Sequence, residues 1–548
     1  MSGTTVRPAA GSPRSTAAGP GRLPFSLTPA GWVIVAATLL ALGLRLYQIL
    51  KPGHLLGVGD YDDGADFGSA LRLIHGVVPY RDFIMVQPPG ITLLMAPAAA
   101  VSPIAGTAWA IAVGRVLTAA AGAAAVLLGG LLVRQRGAFA TIVTCGVIAI
   151  YPGSVQAAHT VLLEPWLTAF CLAGAVAIFD GDRLATSWRR LAAGGAAFGF
   201  AGAVKVWAII PVAVIAAGCL PRPRQAARFL AGVAAGFLVP VIPFAALAPG
   251  RFYDSVVVAQ LVRADTRTPL AFRLQYLTGL TAWDLGGVIF LAVALCLILV
   301  ATATVILASR VTRRGPSALE WVSVATAVLL IVAFLVPDDF YYHYPAFLAP
   351  FLAMAFALPA ARLIDGWRAQ SARAGRLPRY AAGLAGLVLL VLPFAAPGGD
   401  DTPTPTYAKA LTAVERVIPP GACVLSDQVS LLISADRFFS ATPGCPVMID
   451  GTGTGYALGH GQSPGRVAAV AALWRRGFGA ARYVLLTSYN PHRIAWTPQL
   501  KDYFRASFVR VSGSWAPLQV YVRRDPAGRL SALPERPDHQ ASPGLGAK

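Results

Sequence analysis

Acidic residues are scarce in this chain of 548 residues, which holds 25 Asp and Glu in all, so their positions are informative. Four of them fall in one short stretch, Gly57-Val-Gly-Asp60-Tyr-Asp62-Asp63-Gly-Ala-Asp66. Like charges this close repel, so such a cluster calls for a cation, a role as base or good solvation. A second acid stands apart in His159-Thr-Val-Leu-Leu-Glu164-Pro165, between two apolar stretches. An acid there is costly unless it faces a polar cavity, although the first turn of a helix also favours it. Two cations share this setting. Lys205 lies between apolar segments and Arg115 lies within one. Either side chain can bind a phosphate or extend its charge to a membrane interface. The run Tyr341-Tyr342-His343-Tyr344-Pro345 follows Asp338-Asp339. Its tyrosines fit an interfacial aromatic belt, which does not account for His343.

These residues must be placed by the surrounding apolar sequence. The chain is 56% hydrophobic and 13% charged, against about 25% charged in soluble proteins. Runs at 288–307, 322–336 and 381–396 approach the length that crosses a hydrocarbon core of about 30 Å. The net charge of +20 suggests nucleic acid at first sight. Most basic residues, however, sit in short loops beside apolar runs, as the positive-inside rule requires. No aromatic-basic platform for single strands is present. The expected fold class is a polytopic α-helical membrane protein with about eleven spans, at 31–50, 107–133, 138–157, 165–179, 190–204, 206–220, 229–248, 285–308, 319–336, 345–362 and 380–397. The apolar stretch 91–104 is short and holds Pro97 and Pro103. Leaving it out of the count places every arginine cluster on the cytoplasmic side. The N-terminus is then cytoplasmic, 51–106 is the first outer loop, and everything after residue 397 is extracytoplasmic. Residues 1–26 and 526–548, rich in Ala, Gly, Pro and Ser, read as disordered tails.

Residues 398–525 differ in kind. Strand-like runs at 422–425, 447–449, 483–487, 508–511 and 520–523 alternate with helical ones at 407–417 and 465–476. About 125 residues in this pattern suffice for one small α/β domain. Cys423 and Cys445 both lie here. In an extracytoplasmic setting they are disulfide candidates, the alternative being two buried thiols. The other four cysteines fall in apolar runs as small core residues, and no Cys or His spacing of metal-site type occurs.

Taken in order, Asp62-Asp63-Gly64, Ala70-Leu71, Gly76, Pro79-Tyr80, Asp82 and Pro88-Pro89-Gly90 resemble the first outer loop of GT-C-type glycosyltransferases. This family contains the protein O-mannosyltransferases and the aminoarabinose transferases that modify lipid A. Glu164 matches the acid of its second outer loop. The stretch 194–205 looks like its Gly-rich helix ending in Lys, and 342–350 like its aromatic-to-Pro segment. The similarity spans about residues 31–363. The metal-binding Glu and His of some members have no counterpart, and Asp60 is extra. The resemblance implies a transferase in the plasma membrane. It would move a sugar from a polyprenyl-phosphate donor to a cell-envelope glycan, lipid or protein acceptor. Asp62 would be the base, with Asp63 and Asp60 next. Lys205, Arg115, His343 and Tyr342 would serve the donor phosphate, with a divalent cation held by the carboxylates as a further candidate. Glu164, next to His159, would orient the acceptor or share a metal. The competing readings are a transporter or flippase of lipid-linked sugars, which would show internal repeats and midplane polar residues, and a non-catalytic membrane subunit.

Overall fold

The structure is a computed structural model, and it describes residues 28–263, 267–283, 285–370, 406–459, 467–487, 493–511 and 518–524. The expected tails at 1–26 and 526–548 and the expected span at 380–397 lie outside these residues. Among the described residues, six helical segments are long and apolar enough to cross a membrane. They are Pro29–Leu50, Thr107–Ile150, Pro223–Leu247, Gly287–Thr312, Ala318–Leu335 and Pro345–Ala369.

Each of the ten expected spans that lie within these residues forms a helix. The first helix, α1 (Pro29–Leu50), starts where the Thr28 hydroxyl accepts the Gly31 N–H at 3.3 Å. The runs at 107–133 and 138–157 form α4 (Thr107–Val133) and α5 (Gly137–Ile150), joined by a single tight turn. The runs at 165–179, 190–204 and 206–220 form α6 (Leu163–Ile178), α7 (Trp188–Val204) and α8 (Ile209–Cys219). These have 16, 17 and 11 residues, short of the roughly 20 that span a bilayer. Between α1 and α4 lie α2 (Asp62–Leu73) and α3 (Gly90–Ala99). At ten residues, α3 is too short to span. Beyond α8 come α9 (Pro223–Leu247), α10 (Leu270–Thr278), α11 (Gly287–Thr312), α12 (Ala318–Leu335) and α13 (Pro345–Gln370). On α11 only Phe290 and Ala308 are buried, while residues such as Val288 and Leu299 stand out from the bundle. An apolar helix with so little protein around it is built for a hydrocarbon solvent, in which every backbone group is satisfied within the helix.

Close packing of α7 on α9 sets the position of Lys205. Gly195 and Gly199 on α7 face Gly232 and Gly236 on α9, and a Cβ at any of the four would strike the opposite backbone. Two small-xxx-small pairs thus let the helix axes approach. The chain leaves α7 at Lys205 in an extended conformation, φ −152°.

The far end of the bundle is closed by ions. Glu320, 1% exposed at the start of α12, takes Arg136 at 2.9 Å and Arg362 at 3.0 Å. Arg136 also reaches Asp182 at 2.6 Å. Removing one partner of a buried ion cluster costs about 3–5 kcal/mol because charge is left uncompensated. Glu320→Ala is therefore expected to lower thermal stability markedly in detergent. An unfolding midpoint equal to wild type would show that this cluster does not tie α5, α12 and α13 together.

The C-terminal region begins with α14 (Thr406–Val417) and carries a four-stranded sheet. Its strands are β1 (Val424–Ser426), β2 (Tyr483–Leu486), β3 (Phe508–Arg510) and β4 (Gln519–Arg523). Their order is β1-β2-β4-β3, with β1 parallel to β2 and the other pairs antiparallel. Helices α15 (Val429–Ser434), α16 (Gly451–Gly459), α17 (Ala468–Ala480) and α18 (Pro498–Ser507) complete it. Residues 447–449, expected as a strand, form none. They lead instead into α16, where Asp450 Oδ1 accepts the Gly453 N–H at 2.7 Å. Cys423 and Cys445 are joined by a disulfide. This region packs directly on the helical one. A Cβ on Gly64 of α2 would meet the Ser430 backbone of α15. Thr107 and Ala108 at the start of α4 bond Asp436 at 2.9 and 3.0 Å. Phe67, Ile91, Ile111, Val429, Ile433 and Val520 share one apolar core across the junction.

Candidate active site

The four clustered acids separate because they lie on different sides of α2. Asp60 precedes the helix and caps it. Its Oδ1 accepts the N–H groups of Tyr61 at 2.5 Å and Asp62 at 3.1 Å, a usual role for Asp at a helix start. Its Oδ2 accepts the Tyr342 hydroxyl. Asp63 is fully buried against α4, where Oδ2 takes Arg115 Nη2 at 3.0 Å and the Thr160 hydroxyl at 2.5 Å. Arg115 also donates to the carbonyls of His54 and Leu55 at 2.9 and 2.6 Å and, through Nε, to Thr160 at 3.1 Å. Arg115 and Asp63, expected as phosphate ligand and reserve base, are thus committed to each other and anchor the 51–61 segment. His159 contacts the carbonyls of Gln156 and Gly59 and holds the same segment.

Asp62 and Asp66, one helical turn apart, both line a narrow cleft of about 30 Å³. Lys205, Arg263, His343, Tyr341, Tyr344 and Asp450 line it too. Glu164 stands just behind the cations. Its Oε1 takes Lys205 Nζ and lies 2.9 Å from His343 Nδ1. The other face of the ring, Nε2, lies 3.5 Å from Asp62 Oδ2. His343 therefore bridges the two expected acids. Lys205 also sits 4.4 Å from the centroid of the Tyr344 ring. Tyr342 does not line the cleft; its ring stands across His343 and its hydroxyl secures Asp60.

Environment sets the protonation of these groups. Burial works against a charged His343, yet Glu164 and Asp62 outweigh it and push the imidazole up to about 9. Burial likewise opposes an ionised Asp62, but His343, with Arg263 and Lys205, holds it below the usual carboxylate range. Asp66 lacks a cation of its own, so burial and then the charge of Asp62 push it well above that range. One turn of α2 thus presents an ionised carboxylate beside a carboxyl group that holds its proton more tightly. Opposed pKa shifts of this kind separate acid and base roles.

Sequence reasoning did not single out Arg263 and Asp450. Arg263 stacks between the rings of Tyr341 and Tyr456, at 5.0 and 4.8 Å, and lies 3.5 Å from Asp339. Its one signal in the sequence is a cation in the segment facing the tyrosine run. Asp450 Oδ1 accepts the Tyr61 hydroxyl at 2.9 Å as well as the Gly453 N–H, so its signal was that of a helix cap. Among the described residues no group of three or more His, Cys, Asp or Glu side chains is arranged to hold a metal. Asp62 and Glu164 both face His343, and Glu164 also holds Lys205.

No protein-family model matches the sequence, and no curated protein matches it by sequence alone. Solved structures match it by fold. ArnT from Cupriavidus metallidurans bound to undecaprenyl phosphate aligns with TM-score 0.55 and 17% identity, over 90% of this chain and 98% of that one. The apo form of ArnT gives 0.55 and 16%, over 90% and 97%. The archaeal oligosaccharyltransferase AglB from Archaeoglobus fulgidus, in complex with an inhibitory peptide and a dolichol-phosphate, gives 0.50 and 14%, over 93% and 74%. Both are GT-C glycosyltransferases. An alignment over nine-tenths of this chain makes its fold that of the GT-C-type membrane glycosyltransferases.

Proposed function

We propose that the protein transfers a sugar from a polyprenyl-phosphate donor to a hydroxyl of a cell-envelope acceptor at the extracytoplasmic face of the plasma membrane. One observation carries this reading: a single cleft holds an ionised carboxylate, Asp62, together with the cations Lys205, Arg263 and His343. Transfer requires both. The acceptor oxygen forms a bond to the anomeric carbon as the bond from that carbon to the phosphate oxygen breaks. Asp62 takes the acceptor proton and faces the positive charge that builds on the sugar ring. The three cations stabilise the charge growing on the departing polyprenyl phosphate. Glu164 is a positioning residue that holds Lys205 and His343 in place.

An apolar cavity of about 470 Å³ supports a lipid-linked donor. It runs among α10, α11, α12 and α13, past Leu277, Ile298, Val305, Leu348 and Phe356. On α10 it adjoins Tyr276, whose ring lies 6.4 Å from Tyr342 beside the cleft. A prenyl chain laid there would bring its phosphate toward His343. The membrane orientation is supported by charge. Arg136, Arg362 and the Arg314 carbonyl meet at the end of the bundle away from the cleft, and clustered arginine marks the cytoplasmic side. The cleft, the sheet region and its disulfide then face outward, where disulfides persist.

The test is transfer from radiolabelled polyprenyl-phosphate sugars to envelope acceptors, in membranes with and without the protein. Label that depends on the protein and releases polyprenyl phosphate is the expected result. Because the charge comes from side chains, excess EDTA is expected to leave the rate unchanged. Movement of the donor across the bilayer with no new glycosidic bond would overturn the transferase reading in favour of a flippase.

A further inference from the structure

Two acids that line the cleft have no part in the transfer step. Asp66 is 3% exposed, yet its Oδ2 has no hydrogen-bond partner. A buried polar atom without a partner costs about 1–3 kcal/mol, so its presence calls for an explanation. Here the atom belongs to a side chain that lines the cleft. Facing it is Asp450, brought in by the C-terminal sheet region. Tyr61 and Gly453 both bind Asp450 Oδ1, and no hydrogen bond reaches Oδ2 from the described residues. Arg493 stacks on the Tyr61 ring at 4.5 Å and lies 3.5 Å from Asp427, which fixes this arrangement from behind.

We infer that Asp66, Asp450 and Asp62 form the acceptor subsite, and that it takes a neutral vicinal diol, as on an uncharged sugar, rather than a phosphate or a carboxylate. This rests on the transferase reading above. The three carboxyl groups line one cleft and offer oxygens to hydroxyl donors, and Lys205, Arg263 and His343, which line it too, are left to the donor phosphate. A diol has two hydroxyls a few ångströms apart, each able to give and accept. One then meets Asp62, which takes its proton, while its neighbour bridges Asp66 and Asp450. A phosphorylated acceptor would bring negative charge against the ionised Asp62, and like charge at that range disfavours it. The specificity therefore lies partly in the C-terminal region, without which the subsite lacks one wall.

The test uses the full chain in nanodiscs containing polyprenyl phosphate. A panel of methyl glycosides (manno, gluco, galacto and arabino) and their phosphate esters is titrated by saturation-transfer NMR. At least one neutral glycoside is expected to bind, more tightly than its phosphate ester. Asp66→Asn and Asp450→Asn are each expected to weaken it about fivefold or more. Polyprenyl-phosphate binding and the unfolding midpoint should stay at wild-type values. Tighter binding of the phosphate esters, no binding of any neutral glycoside, or unchanged affinity in both folded variants would overturn the assignment while leaving the transferase reading in place. Failure of the wild type to bind polyprenyl phosphate would overturn the transferase reading itself, and the subsite with it.

Discussion

Asp62→Asn is expected to lower transfer by about 10³-fold while polyprenyl-phosphate binding stays within about threefold of wild type. The amide fills the same space but cannot take a proton. The two neighbouring acids should respond differently. At position 60 the native Oδ1 caps α2, and an Asn side chain caps nearly as well, so Asp60→Asn should retain most activity. At position 63 the carboxylate is the buried partner of Arg115. Its loss strands a buried guanidinium at a cost of about 3–5 kcal/mol, so Asp63→Asn should lose folded protein more than rate per folded molecule. The three variants thus separate into loss of rate, little change and loss of stability. Transfer assays normalised to folded protein would read this directly. A dead Asp60→Asn beside an active Asp62→Asn would overturn Asp62 as base.

Much of the candidate site is legible in the sequence because membrane sequences leave few polar residues without a purpose. Asp62, Glu164, Lys205 and His343 stand out from apolar or aromatic surroundings, and all four meet at the cleft or directly behind it. Arg115 stood out for the same reason and proved to be an anchor. Periodicity marks a charge as buried but does not name its partner. Asp450 and Arg263 were missed for the opposite reason. Arg263 lies among other charges at 251–267, where one more is unremarkable, and Asp450 before Gly451 reads as a helix cap, so only tertiary packing turns them to the cleft. Span number is harder to read. Apolar runs of 11 to 17 residues form α6, α7 and α8, and hydropathy alone does not distinguish a short buried helix from a span. In the sheet region, Val447–Met–Ile449 has strand composition but no neighbouring strand, and the Gly-rich turn after Asp450 starts a helix instead.

Glu164→Gln is expected to move the alkaline limb of the pH–rate profile. In the wild type His343 titrates at about 9, against the pull of burial, because Glu164 and then Asp62 favour the imidazolium. The sign follows from this. A raised folded pKa means that the charged ring stabilises the fold fully below about 6.5, the unfolded value, and that this contribution fades as pH rises through 9. Activity that needs the imidazolium beside the phosphate should persist through neutral pH and fall on the same upper limb. With Glu164 neutralised, burial and the nearby Lys205 charge oppose the imidazolium, and Asp62 alone supports it. The limb should then move down by on the order of two pH units. At pH 8 the rate should fall about 10- to 100-fold, with much smaller losses at pH 6. Lys205→Met gives the contrast. It removes a fixed charge from the phosphate site, so its loss should be felt across the whole acid and neutral range. A Glu164→Gln profile that lies over the wild-type curve would mean that His343 is not the titrating group, and that the positive charge needed for transfer comes from Lys205 and Arg263 alone.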